Sequence, residues 1–379
     1  MDKDATMKIT RITSHAVEIP LKPERRMISA LGQHHVSKYV IVRVETDAGI
    51  DGVGEATVME RWSGETVWGT VAMIDRILAP RLIGADPHDV AGIDLTMDKA
   101  TAFNWFAKSA IEMACWDIQG KAAGKPVYDL LGGAVKPREI KCRFSMGAYP
   151  PDRARKRAGE LVEEGFSTIK VKVGTIPDED VERVRIVREV IGPDRELVID
   201  ANCGWDAPTA ISSFERMREF NVALFEQPTT NGDYAALAEV RQAIRPTKTM
   251  ADDIVFDLAH ARECLRNDAC DVISVYPGKN GGIRKCCEII SLAERHGVAC
   301  SIGSNLEFDI ATAAMCHVAI ASSNVKLDEY PGDILGPDYH EVRIVKEPIR
   351  IEGPFVEITD RPGLGIDVDW DIVDQHRLK

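Results

Sequence analysis

The run Ser167-Thr168-Ile169-Lys170-Val171-Lys172-Val173-Gly174 decides how the rest of the chain is read. β-Branched residues surround two lysines and a glycine ends the run, which marks a β-strand. Side chains two apart on a strand share a face, so Lys170 and Lys172 lie side by side. A lysine pair alone is equally well explained as a solvated strand edge. Three later runs weigh against that reading, because each is strand-like and each ends in a carboxylate. Leu197-Val198-Ile199 leads into Asp200-Ala201-Asn202, Val222-Ala223-Leu224-Phe225 into Glu226-Gln227-Pro228, and Thr247-Lys248-Thr249-Met250-Ala251 into Asp252-Asp253. The steps are 28 (172 to 200), 26 (200 to 226) and 26 (226 to 252). A strand, a helix and two loops fill about that many residues in a parallel βαβ unit. Charges at the C-terminal ends of consecutive barrel strands read as catalytic, so the lysines and acids are expected to converge in one pocket.

Length and composition set the bounds. At 379 residues, 45% apolar and 28% charged, the chain suits one large soluble domain with a smaller companion. A net charge of −13 argues against nucleic acid and against an anionic membrane surface as partners. No apolar run approaches the ~20 residues of a membrane span, and no charged-then-apolar leader opens the sequence. Nine cysteines, an odd number without a CxxC pair, suggest reduced thiols, with Cys115, Cys264 and Cys316 in buried patterns. The expectation is a cytoplasmic enzyme.

The pattern changes twice along the chain. Residues up to about Ala56 read as antiparallel strands, clearest at Tyr39–Thr46, with a polar, mobile segment at Leu31-Gly32-Gln33-His34-His35. Helices follow around Glu65–Ala79 and Asn104–Ala123, the second stopped by Gly124-Lys125-Pro126. From about Lys141 strands and helices alternate, with strands at Lys141–Ser145, Thr168–Val173, the three acid-ended runs, Val272–Tyr276, Val298–Ile302 and Val325–Leu327. Eight such units indicate a closed α/β barrel, and no glycine-rich nucleotide loop supports an open doubly wound sheet. The expected architecture is a modified (β/α)8 TIM-type barrel over 129–336, an N-terminal α+β capping domain over 1–128, and a segment 337–379 that packs back on the capping domain.

Three carboxylates with little nitrogen or sulfur nearby suit a hard divalent cation, with Mg²⁺ the expected ion. A metal beside a lysine pair suits proton abstraction from the carbon next to a substrate carboxylate, because the enediolate that forms concentrates charge on oxygens the metal stabilises. A lysine base must be neutral, and a second lysine and a cation nearby both disfavour its charged form. Lys172, nearer the strand's C-terminal end, is the expected base, and Lys170 the residue that tunes it and contacts the carboxylate.

These residues together resemble the enolase superfamily. Lys-x-Lys on the second strand, Asp200-Ala201-Asn202, Glu226-Gln227-Pro228, Ala251-Asp252-Asp253, Ala114-Cys115-Trp116-Asp117 and Leu130-Leu131-Gly132-Gly133 are similar to its mandelate racemase/muconate cycloisomerase branch over nearly the whole chain. The resemblance implies Asp200, Glu226 and Asp252 as metal ligands, Lys172 as base, a small-molecule carboxylate substrate, and a homo-oligomer, dimer or octamer. Two departures stand out. Lysine-lysine members end the sixth strand with a second lysine, three residues before a Lys-x-Gly-Gly turn; here the turn is Lys279-Asn280-Gly281-Gly282 and Tyr276 stands in that place. Tyrosine donates a proton but is a poor base, which weakens a racemase reading. Racemase-like members carry a histidine after the seventh strand, where this chain has Gly303-Ser304-Asn305.

The capping loops and the eighth strand are expected to set specificity. His34, His35 and Trp62 are candidate lid residues, Asn202 and Glu307 candidates around the site, and Asp328-Glu329 candidates for a substrate ammonium. The spaced Asp-x-Asp of dipeptide epimerases is missing, which disfavours dipeptides. The leading expectation is a Mg²⁺-dependent isomerase of the cycloisomerase kind. Dehydration of a hydroxy acid or hydroxyproline-like compound, epimerisation with Tyr276 as second acid, a non-enzymatic metal-binding scaffold, and a Schiff-base aldolase-like barrel are the alternatives.

Overall fold

The computed structural model describes residues 7–379; residues 1–6, which the first domain was expected to include, lie outside the described residues. Strand β1 (Ile9–Pro20) pairs antiparallel with β4 (Val36–Thr46), and β4 with β5 (Asp51–Ala56). The helix Trp105–Ala123 lies directly on β5. Gly52 and Gly54 permit that approach, because a Cβ on them would stand 2.0 Å from the Ala114 carbonyl oxygen and 1.8 Å from that of Ala110. The segment read as mobile is instead a small hairpin, β2 (Met27–Ser29) with β3 (Gly32–His34). It is tied down at both ends: Ala148 N–H donates to the Ile28 carbonyl (2.7 Å) and Arg61 Nη1 to that of Leu31 (2.6 Å). The helix expected at Glu65–Ala79 runs through Val67–Leu82 with a π-helical middle at Met73–Leu78.

The strand read at Lys141–Ser145 is two elements. Strand β6 (Glu139–Lys141) turns away to pair with a C-terminal strand, and β7 (Phe144–Met146) opens the barrel. Strands β8 (Thr168–Lys172), β9 (Glu196–Asp200), β10 (Val222–Glu226), β11 (Lys248–Ala251), β12 (Val272–Val275) and β13 (Ala299–Ile302) complete a seven-stranded sheet in sequential order, and every mapped pair is parallel. The expected eighth strand at Val325–Leu327 makes no ladder. An irregular segment closes the barrel instead, through single bridges Cys300↔Val325 and Cys142↔Gly332. Pro331 and Gly332 interrupt this segment, and neither favours a regular strand.

Alternation along each strand sorts the residues. Ile199, Phe225, Ala251 and Ile273 join the large core under the helices, while Val198, Leu224, Met250 and Val272 form a separate apolar plug on the opposite face, inside the barrel. Residues Asp200, Glu226 and Asp252 follow the plug on that same inward face. All nine cysteines are free thiols, and no helix among the described residues is long and apolar enough to cross a membrane.

Buried glutamates from the capping domain join the two units. Glu55 accepts from the N–H groups of Phe308 (2.8 Å) and Ala311 (3.1 Å), and Glu112 from those of Ile283 (2.7 Å) and Arg284 (2.8 Å). These are the unpaired donors at the N-termini of the barrel helices Asp309–Ala321 and Ile283–Arg295. The tail forms β14 (Arg350–Glu352) and β15 (Phe355–Glu357) beside β6, and then its end bonds β1, with Leu378 N–H donating to Ala16 O (2.9 Å).

His317, on the last barrel helix, ties tail and linker together. Its Nδ1 accepts the Tyr128 N–H (3.2 Å), which leaves Nε2 to donate to the Leu364 carbonyl (3.3 Å). Burial lowers its pKa to about 4 from the ordinary 6.5, so the neutral ring is the folded form. Between those values the unfolded chain binds the extra proton, so stability is full above pH 6.5 and falls as pH drops toward 4. His317→Gln is expected to lower stability at pH 7 by about 1–3 kcal/mol and to flatten the acid slope of urea-unfolding free energy between pH 7 and 4. An unchanged slope would remove His317 from the proton balance.

Candidate active site

Parallel register brings the charges together. Lys172 faces Asp200 across β8 and β9, and Asp200 faces Glu226 across β9 and β10. Glu226 in turn pairs with Met250, two residues before Asp252. Above this row is a cavity of about 400 Å³, lined on its floor by Lys170, Lys172, Asn202, Asp252, Asp253 and Asp333, on its wall by Trp62 and Tyr276, and at its lid by Met27, Leu31 and His34. Asp200 and Glu226 are buried directly beside the lysines.

The lysines are fully engaged. Lys172 Nζ donates to Asp200 Oδ2 (2.5 Å) and Asn202 Oδ1 (2.7 Å). Lys170 Nζ lies 2.6 Å from Asp333, 3.3 Å from Glu226 and 3.3 Å from Asp200. Burial and Arg143 pull the Lys170 pKa down, but those three carboxylates outweigh them and hold it above its ordinary value. Lys170 is therefore a fixed cation shared among three carboxylates, a weaker tuner of Lys172 than the isolated pair suggested. Asp200 is the converse: burial pushes its pKa up, and Lys172 with Lys170 brings it down to about 2. Burial, then Asp252 and Asp200, raises Asp253 to about 8. Lys279 reaches in from its turn, its Nζ 2.7 Å from Asp252 Oδ1 and 2.8 Å from the Ser274 carbonyl.

Tyr276 follows β12 and is clamped on both faces. Trp62 stacks on its ring at 5.8 Å and 7°, and Lys279 Nζ sits 4.6 Å from the ring centroid. Gly303, at the end of β13, makes room for it: a Cβ there would stand 2.2 Å from Ser274 Oγ and 2.7 Å from Tyr276 Cε1. The Tyr276 hydroxyl is buried without a hydrogen-bond partner, and so is that of Ser145 on β7. Burial, and then Asp252 and Glu307, pushes the phenol well above its usual pKa of 10, so it is a proton donor and not a base at neutral pH. The Trp62 Nε1–H donates to Asp253, which latches the capping loop to the barrel.

Other expected site residues fall in different places. His34 lines the cavity with Nε2 3.1 Å from Ser37 Oγ, and burial, aided by His35, lowers its pKa to about 4. Glu307 lies behind the wall, where it accepts from Ser304 Oγ (2.6 Å) and Asn305 N–H (2.9 Å) and so shapes the loop that does face the cavity. Asp328 is exposed and outside the cavity, because the closing segment is irregular and delivers Asp333 to the floor in its place. Two residues escaped the sequence reading altogether, Asp333 and the buried Arg143, whose Nη2 donates to Glu226 Oε2 (2.7 Å). A carboxylate beside a glycine near the expected eighth strand was the available signal for Asp333. Arg143 stands one residue before β7, where the single strand read at Lys141–Ser145 concealed its inward face.

Hard oxygen donors at three neighbouring strand ends, buried among repelling acids, fit a divalent cation. As they stand, no three acidic side chains among the described residues gather closely enough to chelate an ion, since their oxygens are turned onto Lys170, Lys172, Lys279 and Arg143.

Barrel, capping domain and paired lysines over strand-end acids define an enzyme class, and comparison with known proteins identifies it. Residues 10–132 match the mandelate racemase/muconate lactonizing enzyme N-terminal domain, and residues 153–372 the enolase C-terminal domain-like model. The chain belongs to the mandelate racemase/muconate lactonizing enzyme family of the enolase superfamily, and it is an enzyme. It is 29% identical to the N-succinyl-L-Arg/Lys racemase of Bacillus cereus over 97% of this chain and 98% of that protein, and the structures superpose with a TM-score of 0.93. Identity is 33% to the hydrophobic dipeptide epimerase of Enterococcus faecalis, over 95% of this chain and 99% of that one. A solved complex of a dipeptide epimerase from E. faecalis with Mg and L-Leu-L-Tyr gives a TM-score of 0.89 at 32% identity, covering 95% and 99% of the two chains. Muconate cycloisomerase 1 of Rhodococcus opacus is 30% identical over 97% of this chain and 98% of its own.

Gly303→Ala tests the clamp. The added methyl group is expected to displace the Tyr276 ring, lower stability by about 1–3 kcal/mol and shift Trp62 fluorescence. Wild-type stability and emission together would show that Tyr276 is not held by this contact.

Proposed function

We propose that the protein abstracts the α-proton of a small carboxylate with Lys172 and hands the resulting enediolate on to an isomerase outcome of the cycloisomerase kind. The observation that carries this reading is the asymmetry of the site. Lys172 lies on the second barrel strand, and Tyr276, fixed as a proton donor, follows the sixth, diametrically across an eight-fold mouth. A racemase runs in both directions, so it needs a group on each face that both gives and takes a proton. Tyr276 gives but does not take, which favours reactions with one base.

Asp200, Glu226 and Asp252 would hold Mg²⁺. That ion supplies the positive charge that makes the α-proton acidic enough to remove. Lys170 and Asn202 line the floor beside Lys172 and suit orientation of the substrate carboxylate. Lys172 takes the proton when its ammonium has lost one to solvent, and Asp200 and Asn202 hold its Nζ in place. Trp62 and the β2–β3 hairpin border the cavity and narrow the access of water to it.

A second reading, dehydration of a hydroxy acid, is favoured by the unpartnered Tyr276 hydroxyl, which is suited to protonate a departing hydroxide. Incubation in D₂O with Mg²⁺ and a panel of muconates, hydroxyprolines, acid sugars and N-acyl amino acids tests both. Wild type is expected to exchange the α-proton or release product, and Lys172→Ala to lose both by about 10³-fold or more. Tyr276→Phe is expected to keep α-exchange while product formation falls. Racemisation of an enantiopure substrate that Tyr276→Phe abolishes would point instead to epimerisation. No α-exchange across the panel with Mg²⁺ bound would sink the proposal.

A further inference from the structure

Arg143 is fully buried beside the candidate metal ligands, two residues before Ser145 on β7. Its Nη2 lies 2.7 Å from Glu226 and its Nε 3.8 Å from Asp333. Lys170 closes the figure, 2.6 Å from Asp333 and 3.3 Å from Glu226. Two cations and two carboxylates thus alternate around a closed, buried ring. Within it the Arg143 Nε and Nη1 have no hydrogen-bond partner. A buried guanidinium with unsatisfied donors is costly, and packing alone would be served better by an apolar side chain, as in the plug of Val198, Leu224, Met250 and Val272.

We propose that Arg143 is a positioning residue that weakens divalent-metal binding at Glu226, by occupying one carboxylate oxygen and placing a fixed positive charge beside the acids. The proposal rests on the reading of Asp200, Glu226 and Asp252 as metal ligands. Two effects of Arg143 oppose each other. Orienting Glu226 favours the metal, while competition for Oε2 and repulsion between guanidinium and dication disfavour it. Repulsion grows with the product of the charges and is poorly screened in a dry interior, whereas a single carboxylate rotor is a modest entropy term. Repulsion therefore wins, and Arg143 keeps the metal exchangeable.

Titration calorimetry of Mg²⁺ into the full chain compares wild type with Arg143→Met, Arg143→Gln and Arg143→Lys, each first shown to have native circular dichroism and a cooperative melt. The neutral Met and Gln variants are expected to bind Mg²⁺ about tenfold or more tightly, and the charged Lys variant to stay within about threefold of wild type. The Gln variant, which keeps a donor for Glu226, serves if the Met variant does not fold. A role in packing alone predicts the opposite sign, because a loosened cluster binds metal more weakly. Equal or weaker binding in the folded neutral variants overturns the proposal. Failure of wild type itself to take up Mg²⁺ overturns the ligand assignment and the proposal with it, and that outcome is recognisable without any variant.

Discussion

A charge largely withdrawn from water must be balanced where it stands. The charge pairs at the mouth of this barrel answer to that constraint. Lys170 and Lys172 point inward because strand alternation forces residues two apart onto one face, and the sequence offers no apolar substitute there. Their ammonium groups are matched by Asp200, Glu226 and Asp333, while Lys279 matches Asp252 and Arg143 matches Glu226. The plug beneath the charges is apolar and buried, so each of these pairs is stronger than at a surface, and each is also harder to lose. Removing any one group strands its partner, which makes the cluster a unit rather than a set of independent contacts.

The capping domain is bound to the barrel by the same rule applied to backbone groups. The carboxyl groups of Glu55 and Glu112 accept from the open N–H groups of two barrel helices, and Tyr39 donates to the Asn305 carbonyl at 2.8 Å. The consequence reaches the site. The loop that these contacts hold carries Trp62, which stacks on Tyr276 and donates to Asp253. The orientation of the Tyr276 hydroxyl therefore depends on a residue from the other domain, and the cavity wall exists only where the two units meet.

The sequence made the strand ends readable because two simple periodicities coincide there. A period of two placed Lys170 with Lys172, and a spacing near 26 residues placed the three acids at equivalent points of successive units. Residues that reach the site outside those periods were not readable. Asp333 arrives on a segment that Pro331 and Gly332 keep from forming a ladder, so strand logic pointed to Asp328, which faces solvent. Arg143 was hidden because one apparent strand is two, with β6 leaving to pair with β15 before β7 enters the barrel. The β2–β3 hairpin read as loop because its backbone carbonyls at Ile28 and Leu31 are held by Ala148 and Arg61, distant in sequence. Glu307 was found, but its role as a support behind the wall depends on a turn through Leu306 at φ 62°, which no pattern of residue types announces.

The distribution of free and paired charge also bears on what the cavity admits. Asp333 is held between Lys170 and Arg143, and Asp253 between the Trp62 indole and the Asn202 amide. An incoming ammonium would share these oxygens with donors already in place. Among the buried groups that line the cavity, the hydroxyls of Tyr276 and Ser145 have no hydrogen-bond partner, and the exposed Glu60 also stands at its rim. His34, neutral by burial, offers its remaining nitrogen at the lid. Uncommitted hydroxyls and a neutral imidazole complement oxygen-bearing, uncharged parts of a molecule, whereas the floor mixes lysines with carboxylates. The two hydroxyls thus suit hydroxyl or carbonyl oxygens of a bound molecule.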